Sequence, residues 1–132
     1  MVFLSKNTVV ETVKKAITDR LVLELIYQRT SDAEVVTHRI APFDIGSTNP
    51  DPKKRNQNQD NLYAYSYTHV DGKTNRPAPK VCPFNIGHCI SLTLTRETFD
   101  ESELARKNCD ATRFDYRVYR FALLPHRHWF GR

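Results

Sequence analysis

Apolar residues recur at helical spacing near the start of the chain and at alternate positions through most of its remainder. Val9, Val10, Val13, Ala16 and Ile17 share one face of a helix predicted over residues 9–19, with Lys14, Lys15 and Asp19 outside that face. Asn7 or Thr8 is the expected cap, because a short polar side chain there accepts a bond from a free helical N–H. The expected role of this helix is to cover one open side or end of a sheet. After Arg20, Leu21, Leu23, Leu25 and Tyr27 alternate with Val22, Glu24 and Ile26, which predicts a strand. Ser31-Asp32 is a turn signal, and residues 35–41 (VVTHRIA) form the expected partner strand, ending at Pro42. Arg39 projects to the face opposite Ile40.

Residues 43–45 predict a short extended piece. The next fifteen positions, 46–60 (GSTNPDPKKRNQNQD), are polar or turn-forming throughout. Such a segment cannot offset the entropy of ordering itself, so an exposed, mobile loop is expected. Its Lys53-Lys54-Arg55 cluster reads either as a solvated tip or as an arm that touches phosphate.

Then comes the aromatic strand LYAYSY, with Tyr63, Tyr65 and Tyr67 on one face and Leu62, Ala64 and Ser66 on the other. The tyrosine stripe has two readings, half of a core or a stacking platform. Asp71-Gly72 is a tight-turn dipeptide. Residues 80–86 return as an edge strand, because Pro83 has no N–H for a ladder bond, and Gly87 permits a bend into a strand over 88–95. A short helix is predicted within 98–107, capped by Asp100, and a half-buried strand over 113–124 with a bulge near Tyr119. The tail PHRHWFGR is expected to dock Trp129 and Phe130 on the body.

Five to six mostly antiparallel strands without crossover helices, behind one N-terminal helix, argue against a parallel α/β fold. The expected fold class is mainly β (α+β), a small strongly bent barrel or sandwich. At 132 residues, one domain spans 1–132, with a core over about 8–99 and a C-terminal extension over 100–132.

Composition narrows the function. Hydrophobic residues make up 39% and charged residues 27%, as in soluble globular domains. The longest apolar runs fall far short of the roughly 20 residues of a membrane span, and the N-terminus lacks a signal-peptide pattern. The chain reads as a complete cytoplasmic protein with no membrane partner. Three cysteines, Cys82, Cys89 and Cys109, are an odd number without a CxxC pair, which predicts reduced thiols. Combined with His126 and His128 they fit no zinc spacing in common use, so no metal and no cofactor is expected. Acidic and histidine residues lack diagnostic spacing, and there is no phosphate loop, nucleophile elbow or HExxH. Cys89 beside His88 is no dyad, since neighbours on a strand face opposite ways. A non-enzymatic role is expected. The formal charge of +5 favours polyanionic partners.

Four pieces in order, AITDRLVLELIYQR, HRIAP, LYAYS and FNIGHCISLTLTRETF, resemble the WYL domain family over about residues 16–99. Tyr27, Arg39, Pro42, Ala64, Tyr65, Phe84, Thr98 and Phe99 agree with the family pattern. The name-giving Trp and Tyr stand as Asp60 and Asn61, with Leu62 kept. The Asp-Arg-Ile triplet stands as Gly87-His88-Cys89, and a further Arg stands as Asn85, so several anion-holding arginines of the family are not matched. The resemblance implies an SH3/Sm-like β-barrel, here a stand-alone member, since one helix is too little for a helix-turn-helix. It also implies a bacterial regulatory or accessory role, in transcription regulation or CRISPR and phage defence, with single-stranded nucleic acid or a nucleotide as ligand.

The residues support that expectation, because single strands are held by cations along the backbone and aromatic faces against bases. The candidate ligand-binding residues are Tyr27, Arg39, Tyr63, Tyr65, Lys80, His88, Arg96 and Arg117, with a nucleotide cleft expected between Arg39 and the bend at His88. The alternative is a protein-interaction or homodimerisation module using an edge strand or the Trp129-Phe130 tail.

Overall fold

The first helix, α1, spans Lys6–Asp19, one turn longer at its start than the apolar periodicity marks. Its cap is Ser5 rather than Asn7 or Thr8: the Ser5 hydroxyl accepts the Thr8 N–H at 3.1 Å. Lys6, Asn7 and Thr8 are exposed, so the first turn leaves no hydrophobic trace in the sequence. At the other end Arg20 adopts a left-handed conformation (φ 57°), and its guanidinium donates to the Ile17 carbonyl at 2.7 Å. That stops the helix and turns the chain directly into the sheet.

The structure, a computed structural model, describes residues 2–46 and 61–106. It is mainly β. Five antiparallel strands form one sheet: β1 (Leu21–Gln28), β2 (Val35–Gly46), β3 (Asn61–Ser66), β4 (Lys80–Asn85) and β5 (Cys89–Thr98). Their order is β4-β3-β2-β1-β5, and the outer strands β4 and β5 are not paired with each other. A 3-10 turn, Ile86–His88, joins them, with the Asn85 side chain accepting the Gly87 N–H at 2.8 Å. A short helix α2 (Glu101–Arg106) comes after β5, and Asp100 accepts the Ser102 N–H at its start. The expected strand over 113–124, residues 47–60 of the expected 46–60 loop and the Trp129-Phe130 tail lie outside the described residues.

Two further expectations change. The second strand does not end at Pro42 but runs on to Gly46, absorbing residues 43–45. Pro42 is tolerated inside it because the β2–β3 register shifts between Pro42 and Asp44, where the ladder is already irregular. The second change is the turn at Asp71-Gly72, which is wider than a two-residue hairpin. Asp71 donates to the Arg76 carbonyl at 3.0 Å, and Asn75, not Gly72, takes the left-handed conformation (φ 57°). Beyond it a Val70–Pro77 bridge and reciprocal His69–Ala78 bonds extend the β3–β4 hairpin into an arm.

The core packs Val9, Val13 and Ile17 of α1 with Leu23, Leu25 and Ile40 of the sheet, all fully buried. Each such side chain contributes about 1.5–3 kcal/mol relative to exposure. The sheet bends strongly. β1 and β4 are three strands apart in the sheet order, about 14 Å if flat, yet the Asn85 N–H donates to the Tyr27 hydroxyl at 2.9 Å.

A cationic cleft on one face of the bent sheet

Register places Tyr27 beside Val36, Leu25 beside His38, Ser66 beside Lys80, Ala64 beside Cys82 and Leu62 beside Phe84. Because Ile40 pairs with Ser66, all of these residues share one face. β3 contributes only the small Ala64 and Ser66 at the middle of that face. The gap lets side chains from the flanking strands meet across it: the His38 and Phe84 rings lie 5.0 Å apart, edge to face. Tyr27 packs edge-on against Phe84 at 5.2 Å from the other side.

Above these rings opens a cleft of about 420 Å³, in the size range of small-ligand sites. Tyr27, Val36, Val81, Pro83 and Phe84 supply its apolar walls. Arg29, His38, His69 and Lys80 supply positive or protonatable groups, against the one carboxylate of Glu34. Arg29 and Lys80 are exposed at the rim. His38 is only 9% exposed, with Nδ1 3.1 Å from the Ser66 hydroxyl. Burial first, and then the proximity of His69, hold its pKa below the ordinary histidine value. The His69 Nδ1–H donates to the Ala78 carbonyl at 3.0 Å, so the arm fixes that tautomer. Burial pushes the Tyr27 phenol up, partly offset by its bond from Asn85. It is neutral at ordinary pH.

The sequence-predicted residues fall into three groups. Tyr27 and Lys80 line the cleft. His88 sits behind Tyr27, ring centroids 6.3 Å apart, and lines a second recess with Phe3, Gln28, Thr30 and Ser31. The others are elsewhere. Arg39 is on the opposite face of the sheet, where it reaches across β1 to pair with Glu97 of β5. It lines neither recess, so the cleft expected between Arg39 and the His88 bend gives way to one between β1, β2 and β4. Tyr63 and Tyr65 share Arg39's side of the sheet and are 2% and 7% exposed. The Tyr65 ring packs against Tyr67, 5.2 Å away, and Tyr67 in turn against the core. Rings this buried have no face to offer a base, which selects core packing over the stacking platform. Arg96 is exposed on β5 and takes no part in the cleft. Arg117 and the Lys53-Lys54-Arg55 cluster lie outside the described residues.

Sequence reasoning missed Arg29, His38 and His69 as site residues. His38 alternates with the apolar Val36 and Ile40 within β2, an inward position for a titratable side chain and the one available signal. Arg29 and His69 gave none, because the hairpin end and the arm bring them in.

Chemically, the cleft can hold an anion with a flat apolar part. Among the described residues no three His, Cys, Asp or Glu side chains are grouped to bind a metal ion. Cys82 and Cys89 are free thiols, and burial pushes the Cys89 pKa up to about 12, well away from nucleophilic use. No described helix is long and apolar enough to cross a membrane. Comparison with protein-family models finds no match, and comparison with curated proteins finds none either.

Proposed function

We propose that this chain is a cytoplasmic, non-enzymatic binding domain for a nucleotide-like anion, free or as one unit of a single strand. The cleft carries the reading. It combines two rim cations with the half-buried Tyr27 ring and the exposed apolar Val36 and Pro83, and so offers phosphate and base the separate surfaces each needs. The strand order β4-β3-β2-β1-β5, the 3-10 turn before β5 and the leading helix support an SH3/Sm-like barrel built as one WYL-like domain. On that reading the chain is an accessory module, in transcription regulation or in CRISPR or phage defence.

The test is a titration of the full chain with adenosine monophosphate and with tetrathymidylate at about 50 mM and about 200 mM salt. The expected result is weak binding that falls several-fold with salt, because releasing counterions from phosphate contributes much of the affinity. Absence of binding at the lower salt contradicts the proposal. One observation favours a second reading: β4 and β5 have no strand neighbour on their outer sides among the described residues. A dimer in light scattering that ignores both probes selects this self-association reading instead.

A further inference from the structure

The cleft holds two rim cations, Arg29 and Lys80, against one carboxylate, Glu34, and beside them two histidines. Among the described residues no other charged side chain lines the cleft. From β1 comes the Tyr27 phenol, and from β4 the Cys82 thiol, which donates to the Lys80 carbonyl at 3.6 Å. With both histidines neutral the lining is therefore only slightly positive. An anion in the cleft gains electrostatically when they become charged.

Their bonding permits it. His69 already commits Nδ1–H to the Ala78 carbonyl, so Nε2 is the atom that takes up a proton, and doing so leaves the existing bond intact. His38 has its Nδ1 at a hydroxyl, which both donates and accepts. Ser66 can therefore serve the neutral and the charged ring by rotating its hydrogen. Neither histidine has to break a hydrogen bond to change charge.

We propose that the His38–His69 pair couples anion binding in this cleft to proton uptake, so that the site fills as the pH falls. The inference rests on the cleft being the ligand site. In the empty protein, burial and mutual repulsion hold the His38 pKa down. The charge of an anion bound beside the ring favours its protonated form and raises the pKa. Affinity then rises as pH falls from the bound-state pKa toward the free-state one, by up to about tenfold per pH unit for each linked proton, and levels off below that window. The same sign governs the empty fold. A depressed histidine pKa destabilises the native state as pH falls through the ordinary histidine range, because the unfolded chain then binds more protons. Ligand offsets that loss.

Calorimetric titration of the full chain with tetrathymidylate tests the coupling, since neither its phosphodiesters nor its thymines titrate between about pH 5.5 and about pH 7.5. At about pH 6.5 the binding heat is measured in PIPES and in imidazole, whose ionisation enthalpies differ, and the difference reports protons taken up. The expected result is net uptake approaching one proton and an affinity several-fold higher at about pH 6 than at about pH 7.5. His69→Gln, placed on the exposed arm, and His38→Gln should each lower the uptake, with thermal melts checking that both fold. If His38→Gln does not fold, His69→Gln carries the comparison. Binding with heat independent of buffer and affinity independent of pH overturns the coupling and leaves the cleft as ligand site. Failure of both tetrathymidylate and adenosine monophosphate to bind at either pH in low salt overturns the ligand site, and the coupling with it.

Discussion

Tyr63→Ala is expected to destabilise the fold by about 3–5 kcal/mol, the range for removing a large aromatic from a core. Tyr63 is 2% exposed and among the largest fully buried side chains of the described residues. Truncating it leaves a cavity that β2 and β4, hydrogen-bonded to β3 on either side, can close only in part. Against a typical total of about 5–15 kcal/mol, the loss takes much of the stability. Urea unfolding measures it as a lower midpoint with an unchanged slope. Tetrathymidylate affinity of the protein that remains folded should be unaltered, since Tyr63 lies on the face away from the cleft. Full stability with lost binding would restore the stacking-platform reading.

The second large effect is on binding. Arg29→Glu combined with Lys80→Glu should weaken tetrathymidylate by about a hundredfold or more at low salt, because two charge-assisted contacts of at least about 1.5 kcal/mol each are lost. The salt dependence should flatten by about one unit of logarithmic slope for each lost phosphate contact. Both side chains are exposed at the rim, so stability should move by no more than about 0.5 kcal/mol. Arg96→Glu provides the control. It reverses a charge on β5 outside the cleft and should change affinity far less. Equal loss from Arg96→Glu would mean that the overall positive charge, not the cleft, holds the ligand.

Much of the fold was legible in the sequence, because period and punctuation are local. Val9 to Ile17 at helical spacing marked α1, alternation marked β1 and β3, Pro83 marked an edge strand, and Gly87 marked the turn before β5. Apart from the helix cap, the errors came where pairing farther along the chain overrode a local rule. Pro42 reads as a stop, yet β2 continues past it because β3 supplies partners on both sides of an irregular register. Asp71-Gly72 reads as a tight turn, yet Asn75 takes the left-handed conformation and the loop becomes an arm. The stripe of Tyr63, Tyr65 and Tyr67 was visible, but alternation says only that the rings share a face. It does not say that Leu62, Ala64 and Ser66 behind them are buried too.

The cleft was far less legible. It draws on β1, β2, β4, a hairpin end and an arm, and it exists because Ala64 and Ser66 leave space for His38 to meet Phe84 across β3. Of the eight predicted site residues, Tyr27 and Lys80 come together there. Arg39, named from the family resemblance and from its charge, is drawn to Glu97 on the other face. A residue's role depends on its partners, and Glu97 is a partner that the four WYL-like motifs do not specify.

A ¹⁵N-labelled chain titrated with tetrathymidylate tests most directly whether the β1–β2–β4 cleft is the ligand site. Amide shifts are expected to concentrate at Arg29, His38, His69, Lys80 and Phe84, with the amides of Arg39, Tyr63 and Arg96 nearly still. Shifts concentrated around Arg39 and Arg96, with the cleft unmoved, would refute the assignment.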